Sequence, residues 1–228
     1  MNKKAILPIV ILISVILITA CGNKSNQKKE NNEANTEANI KPNSDKHDKK
    51  ESNKESNPKL VKNGNLKKIN EYRYDQFGTK QILVRNTSLN KIQTNGDISY
   101  TINKVKVYKN EAKNDSALNA AKQALNVENL SNPYYSVQVK FSIKNSSDKT
   151  IYLQGIEYLK LGHTFLSPYA GLNDLSAGKK IPANSYKSSS VVGAINLYPD
   201  KGSIKFSPAY DKKGNGISNA SDNIEFSY

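Results

Sequence analysis

Two histidines and one cysteine are the residues of this 228-residue chain best suited to acid–base, nucleophilic or metal chemistry at neutral pH. His163 stands in Leu161-Gly162-His163-Thr164-Phe165, a turn between apolar runs, where an imidazole would titrate near physiological pH. No second histidine or cysteine accompanies it in the C-terminal part of the chain, so neither a zinc set nor a Cys–His pair can be completed, and it is read as a surface residue. His47, among Lys46, Asp48 and Lys49, has no partner ligands either. S-x-x-K occurs at Ser25–Lys28, Ser146–Lys149 and Ser176–Lys179, and S-D-N at Ser221-Asp222-Asn223, both parts of a serine acyl-enzyme machinery. That chemistry needs its serine at the start of a buried helix and a later K-T-G strand. Here no K-T-G follows, and Ser146-Ser147-Asp148-Lys149 reads as a turn, so these are chance matches in a chain rich in Ser and Lys. Asp211-Lys212-Lys213-Gly214-Asn215-Gly216, with Asp222 at the twelfth position, echoes a calcium loop, but Lys213 puts a cation where an oxygen ligand belongs. The expectation is a chain without catalytic residues, bound metal or cofactor.

Cys21 offers chemistry of another kind. Lys3 and Lys4 precede an uncharged, largely apolar run from Ala5 to Ala20, the layout of a secretory signal. Its sixteen residues fall short of the roughly 20 that a helix needs to cross a bilayer core, so cleavage fits better than a permanent span. The sequence Ile18-Thr19-Ala20-Cys21 resembles the lipobox of bacterial lipoproteins. The resemblance implies removal of residues 1–20 and a diacylglyceryl group on Cys21, which becomes the new N-terminus. Being the only cysteine, Cys21 cannot form an internal disulfide. Two or three acyl chains exceed the single-chain threshold of marginal binding, so anchoring at the outer face of the cell membrane is expected to be stable.

The elements that would carry any site begin well beyond the anchor. Residues 21–63 are built from Asn, Lys, Glu and Ser, with no aromatic side chain and with ten lysines interspersed among seven acids. Too little apolar surface is available there to offset ordering, so a disordered tether is expected. All thirteen tyrosines and all five phenylalanines fall at Tyr72 or later, placing a globular domain from about residue 64. Residues 64–92 are read as an N-terminal extension with a hairpin over Tyr72–Arg85, and residues 93–228 as the main domain.

Tyr135, Val137, Val139, Phe141 and Ile143 alternate with polar residues through Lys144, the signature of a strand with one face in a core. Burying five such side chains would contribute on the order of 10 kcal/mol before chain entropy is counted. The turn Asn145–Lys149 leads into a second strand at Thr150–Leu153. Further runs are Ile98–Ile102, Ser190–Val192, Ser203–Phe206 and Ile224–Phe226, and a shift of phase between Ile102 and Val105/Val107 predicts a bulge. One helix, capped by Asp115 and running over Ser116–Asn126, places Ala117, Leu118, Ala121 and Leu125 on one face. The fold class is all-β: an antiparallel β-sandwich with one short inserted helix.

The order Asn95-Gly96-Asp97, a helical insert, Tyr134-Tyr135-Ser136-Val137-Gln138-Val139, Lys144–Lys149, Leu175-Ser176-Ala177-Gly178 and Val191-Val192-Gly193 resembles the telokin-like, immunoglobulin-like domain of Gram-positive lipoproteins. The resemblance covers about residues 93–228 and implies an immunoglobulin-like sandwich at the cell surface. That family has no established activity, and its small secreted mycobacterial relatives are known chiefly as antigens. Fold does not imply function. The charge is the remaining signal: the whole chain carries +14, and the domain holds 22 basic against 13 acidic residues. Two expectations follow. One is a non-enzymatic module that engages a protein partner. The other is an electrostatic holder of anionic envelope polymers such as teichoic acid or phospholipid headgroups, or of nucleic acid, which clustering of lysines on one face would favour. A remote alternative is a cell-wall-modifying enzyme, which a deep pocket holding His163 with a carboxylate would revive.

Overall fold

A computed structural model describes residues 59–228. The sequence first lays down β1 (Lys59–Leu60), β2 (Glu71–Tyr74), β3 (Lys80–Asn95) and β4 (Ile98–Glu111), followed by the helix α1 (Asp115–Leu125) and β5 (Tyr134–Asn145). Shorter strands come next: β6 (Ile151–Leu153), β7 (Ile156–Leu161), β8 (Thr164–Leu166), β9 (Leu172–Asp174) and β10 (Lys180–Ile181). The chain ends with β11 (Ser185–Ile195), β12 (Lys201–Phe206), β13 (Ala209–Tyr210), β14 (Gly216–Ser218) and β15 (Ile224–Ser227). A seven-stranded sheet in the order β1-β2-β3-β4-β5-β11-β9 forms one layer, and two four-stranded sheets, β10-β6-β13-β14 and β15-β12-β7-β8, form the other. The protein is an all-β sandwich with a single helix among its described residues.

One continuous core joins the layers. Ile98, Tyr100, Ile102, Val105 and Val107 of β4 and Val137, Val139, Phe141 and Ile143 of β5 meet Leu159, Ile204, Phe206 and Ile224 of one smaller sheet. Ile151 and Ile181 of the other smaller sheet belong to the same cluster. At its centre the Phe206 ring stacks on Tyr100, with centroids 4.3 Å apart, and meets Phe141 edge-on at 4.9 Å. Such pairs contribute about 0.5–1.5 kcal/mol beyond the area they bury.

Several sequence expectations are refined. The phase shift in β4 is a bulge: pairing with β5 slips between Ile102 and Lys104, leaving Asn103 as the extra residue. The hairpin expected over Tyr72–Arg85 is formed by β2 and β3 in antiparallel register, Tyr72 opposite Ile82. Residue 92 marks no break, because β3 runs through it to Asn95 and pairs along its length with β4. Lys59 and Leu60, inside the segment read as tether, pair in parallel with Glu71 and Tyr72. Both are exposed, so the pairing is made by backbone groups that composition does not register. The helix cap is Asn114, whose side-chain oxygen accepts from the Ala117 N–H at 2.9 Å, and Asp115 is the first helical residue. Residues 1–58 lie outside the described part, and with them the expected signal segment, most of the tether, the S-x-x-K at Ser25–Lys28 and His47.

Phe206→Ala is expected to cost about 3–5 kcal/mol, since it removes the side chain that both aromatic partners pack against. Urea unfolding measures the loss, and Phe206→Leu should cost distinctly less.

Candidate anion-binding face

The bulge at Asn103 decides which side chains stand on the outer face of the large sheet. Ile98, Tyr100 and Ile102 point to the core on even numbers, and Val105 and Val107 do so on odd ones. The single extra residue between them sends Lys104 outward with Lys106, where continued alternation would bury it. On β5, strict alternation puts Gln138, Lys140, Ser142 and Lys144 on that same outer face.

Register then brings residues distant in sequence side by side. Lys104 stands directly opposite Lys140, flanked by Ser88 of β3 and Ser190 of β11. The row on one side aligns Asn86, Lys106, Gln138 and Val192. On the other side, Thr101, Ser142 and Ser188 form one row, and Ser99, Lys144 and Tyr186 the next. No Asp or Glu occupies these rows. The three ion pairs among the described residues lie elsewhere, joining Lys80 and Lys109 to Glu111 and Lys205 to Glu157. Like charges directly opposed across strands destabilise a sheet, so the Lys104–Lys140 pair is a cost that packing does not explain.

Lys106 sharpens the point. It is buried, and its ammonium donates to the Leu66 carbonyl. Burial first, and then Lys140, Lys104 and Arg73, hold its pKa below the ordinary lysine value. Glu71 opposes that shift, but its carboxylate also accepts from the backbone N–H groups of Lys67 and Lys68 at 2.6 and 3.0 Å. One end of the face is closed where α1 packs Leu118, Ala121 and Leu125 against Tyr134 and Ala194. Around Lys140 it stays open, as a shallow depression lined by Asn103, Lys140, Ser142, Ser188 and Ser190. Ser142 donates to Asn103 at 2.9 Å and lies 3.3 Å from the Ser188 hydroxyl. Ammonium groups interleaved with hydroxyls suit phosphate oxygens, which Lys binds as a point charge.

Among the described residues, those singled out for chemistry in the sequence are not brought together. His163 is exposed in the two-residue turn between β7 and β8. Ser146 is exposed in its turn, its N–H donating to the Asp97 carbonyl at 2.8 Å, and Ser176 donates through its hydroxyl to Asp174 at 2.7 Å. Ser221 donates to the Asp222 carbonyl and accepts from the Phe206 N–H, both at 2.8 Å. Asp211 closes its own turn through the Lys213 and Asn215 N–H groups, and its hydrogen bonds to Asn215 hold its carboxyl below the usual range. Asp222 accepts from Gln93 instead of joining Asp211. Among the described residues no three His, Cys, Asp or Glu side chains are grouped as metal ligands.

No protein-family model matches the chain, and no curated protein matches it. Among solved structures it is similar to a functionally unknown protein from Listeria monocytogenes EGD-e, with 14% identity and a TM-score of 0.41 over 65% of this chain and 86% of that one. It is also similar to the Northeast Structural Genomics Consortium target SoR45, with 9% identity and a TM-score of 0.35 over 59% and 89% of the respective chains.

Lys140→Gln removes the repulsion across from Lys104 and is expected to stabilise the fold by about 0.2–1 kcal/mol in low salt. Urea denaturation should show this gain shrinking in 1 M salt, where screening acts over about 3 Å. A loss of stability would mean that the lysine is held by contacts other than those described.

Proposed function

We propose that this chain is a lipid-anchored surface protein whose immunoglobulin-like sandwich is a non-enzymatic binding module for an anionic polymer of the cell envelope. The observation that carries the reading is the set of acid-free rows on the outer face of the large sheet, where Lys104 and Lys140 stand directly opposite each other without a counter-charge in their row. A polyanion laid across β4 and β5 supplies the missing charge and turns a cost of folding into binding energy. The fit is to a sugar- or polyol-phosphate chain. The open rows hold one aromatic residue, Tyr186, so they lack the stacking platforms on which single-stranded nucleic acid is usually held. Attachment through Cys21 and the lysine-rich tether would keep the domain near such polymers, and the positive charge of the whole chain favours their approach.

Binding of the full-length protein to purified teichoic acid, followed by co-sedimentation over a salt series, tests the face. Affinity should fall steeply with salt, and each of Lys104→Gln and Lys140→Gln should lower the log–log salt slope by about one. Salt-independent binding, or binding unchanged in the double variant, refutes the reading. A discrete protein partner retained at high salt would assign the module to protein recognition instead. For the anchor, Cys21→Ser is expected to abolish incorporation of labelled fatty acid and to move the protein from the membrane fraction. Continued labelling would place the lipid elsewhere.

A further inference from the structure

Away from the lysine rows just described, three more lysines surround a depression of about 450 Å³ at the margin where β3 meets the sheet of β15, β12, β7 and β8. Lys160 comes from β7, Lys201 from β12 and Lys91 from β3. Lys91 stands three residues beyond outward-facing Ser88, on the same side of β3 as core-packed Leu89, so alternation along the strand directs it to the inner side. Between Ser88 and Lys91 the β3–β4 register shifts, so Ser88 pairs with outward-facing Lys104 whereas Lys91 pairs with core-facing Ile102. The two residues therefore leave the sheet on opposite sides, and Lys91 is directed to the rim of the smaller sheet.

We infer that this depression is a second anion site, one that takes a single phosphate group on a small molecule or a lipid headgroup. Its three ammoniums belong to none of the ion pairs among the described residues. Glu225 lines the depression as the sole carboxylate, opposite Ser203 in the strand pairing. Lys160 is held 4.9 Å above the centre of the exposed Phe165 ring, a contact that orients the ammonium while leaving its charge uncancelled. The floor is kept free of a side chain by packing: a Cβ on Gly202 would stand 2.7 Å from the Lys160 carbonyl oxygen and 2.8 Å from the Phe226 ring. Lysines that merely solubilise a surface spread apart, whereas these three come from separate strands around one concavity. With lysine ammoniums, the Ser203 hydroxyl and no arginine in the lining, the donor set suits the tetrahedral oxygens of a phosphate better than the planar fork of a carboxylate.

The test titrates the full-length protein carrying Lys104→Gln and Lys140→Gln, so that the outer face is weakened, and follows by NMR the amide signals of Lys160, Gly162 and Gly202, which report on the depression itself. One arm uses inorganic phosphate; the other compares vesicles of phosphatidylcholine with and without phosphatidic acid. Saturable shifts with inorganic phosphate support a soluble ligand, and a response confined to phosphatidate vesicles supports a headgroup. In either case Lys160→Gln should weaken binding about tenfold, the loss of one charged contact. Lys91→Gln, on a different strand, should weaken it similarly and guards against a local folding defect in β7. No saturable response in either arm, or affinity unchanged by both substitutions, overturns the inference.

Discussion

One extra residue in β4 reconciles two demands that a regular strand could not meet together. The core needs Ile98, Tyr100 and Ile102 on one side of the sheet and then Val105 and Val107 on that same side, although the two sets differ in parity. Asn103 absorbs the difference as a bulge, and its oxygen accepts from Ser142 on the neighbouring strand. The buried set stays whole, so Phe206 finds Tyr100 and Phe141 where its ring needs them. The same slip turns Lys104 outward to stand against Lys140. Core packing and surface charge thus rest on one irregularity, and neither can be changed through β4 without disturbing the other.

Much of the architecture is legible in the sequence because hydrophobic period is a local signal. Alternation from Tyr135 to Lys144 marks β5, the phase change after Ile102 marks the bulge, and the apolar stripe Ala117, Leu118, Ala121 and Leu125 marks the helix. The N-terminal edge is less visible. β1 contributes backbone hydrogen bonds and no buried side chain, so its residues read as more tether. The cap falls on Asn114 rather than Asp115: either residue type can accept a first-turn N–H, and only the point where the extended backbone of Asn114 gives way to helix distinguishes them.

The lysine-lined face is legible only by halves. Lys104 and Lys140 are each plain as outward residues once their strands are recognised, but their confrontation is set by register between β4 and β5, which no local pattern specifies. Counting charge along the chain shows an excess without showing where it gathers. The same holds for Lys91, Lys160 and Lys201, joined by topology across separate strands. Conversely, the short motifs of the described residues that caught attention in the sequence form no site in the folded chain: Ser176 and Asp211 are spent on turn hydrogen bonds, and Ser146 stands exposed in its turn.

The parallel β1–β2 pairing at the rim of the large sheet also determines how the domain would carry load. Tension applied to the chain before Lys59 is borne first by contacts such as Lys59 N–H to the Asn70 carbonyl and Val61 N–H to the Tyr72 carbonyl. An edge strand this short offers few bonds, and pulled outward it peels by breaking them in succession. Next in line is Leu66, a buried side chain whose carbonyl also holds Lys106, so detachment beyond that point would cost apolar burial and uncover the base of the lysine face. Under such tension the rim would give way before the aromatic centre of the sandwich, whose rings sit on β4, β5 and β12.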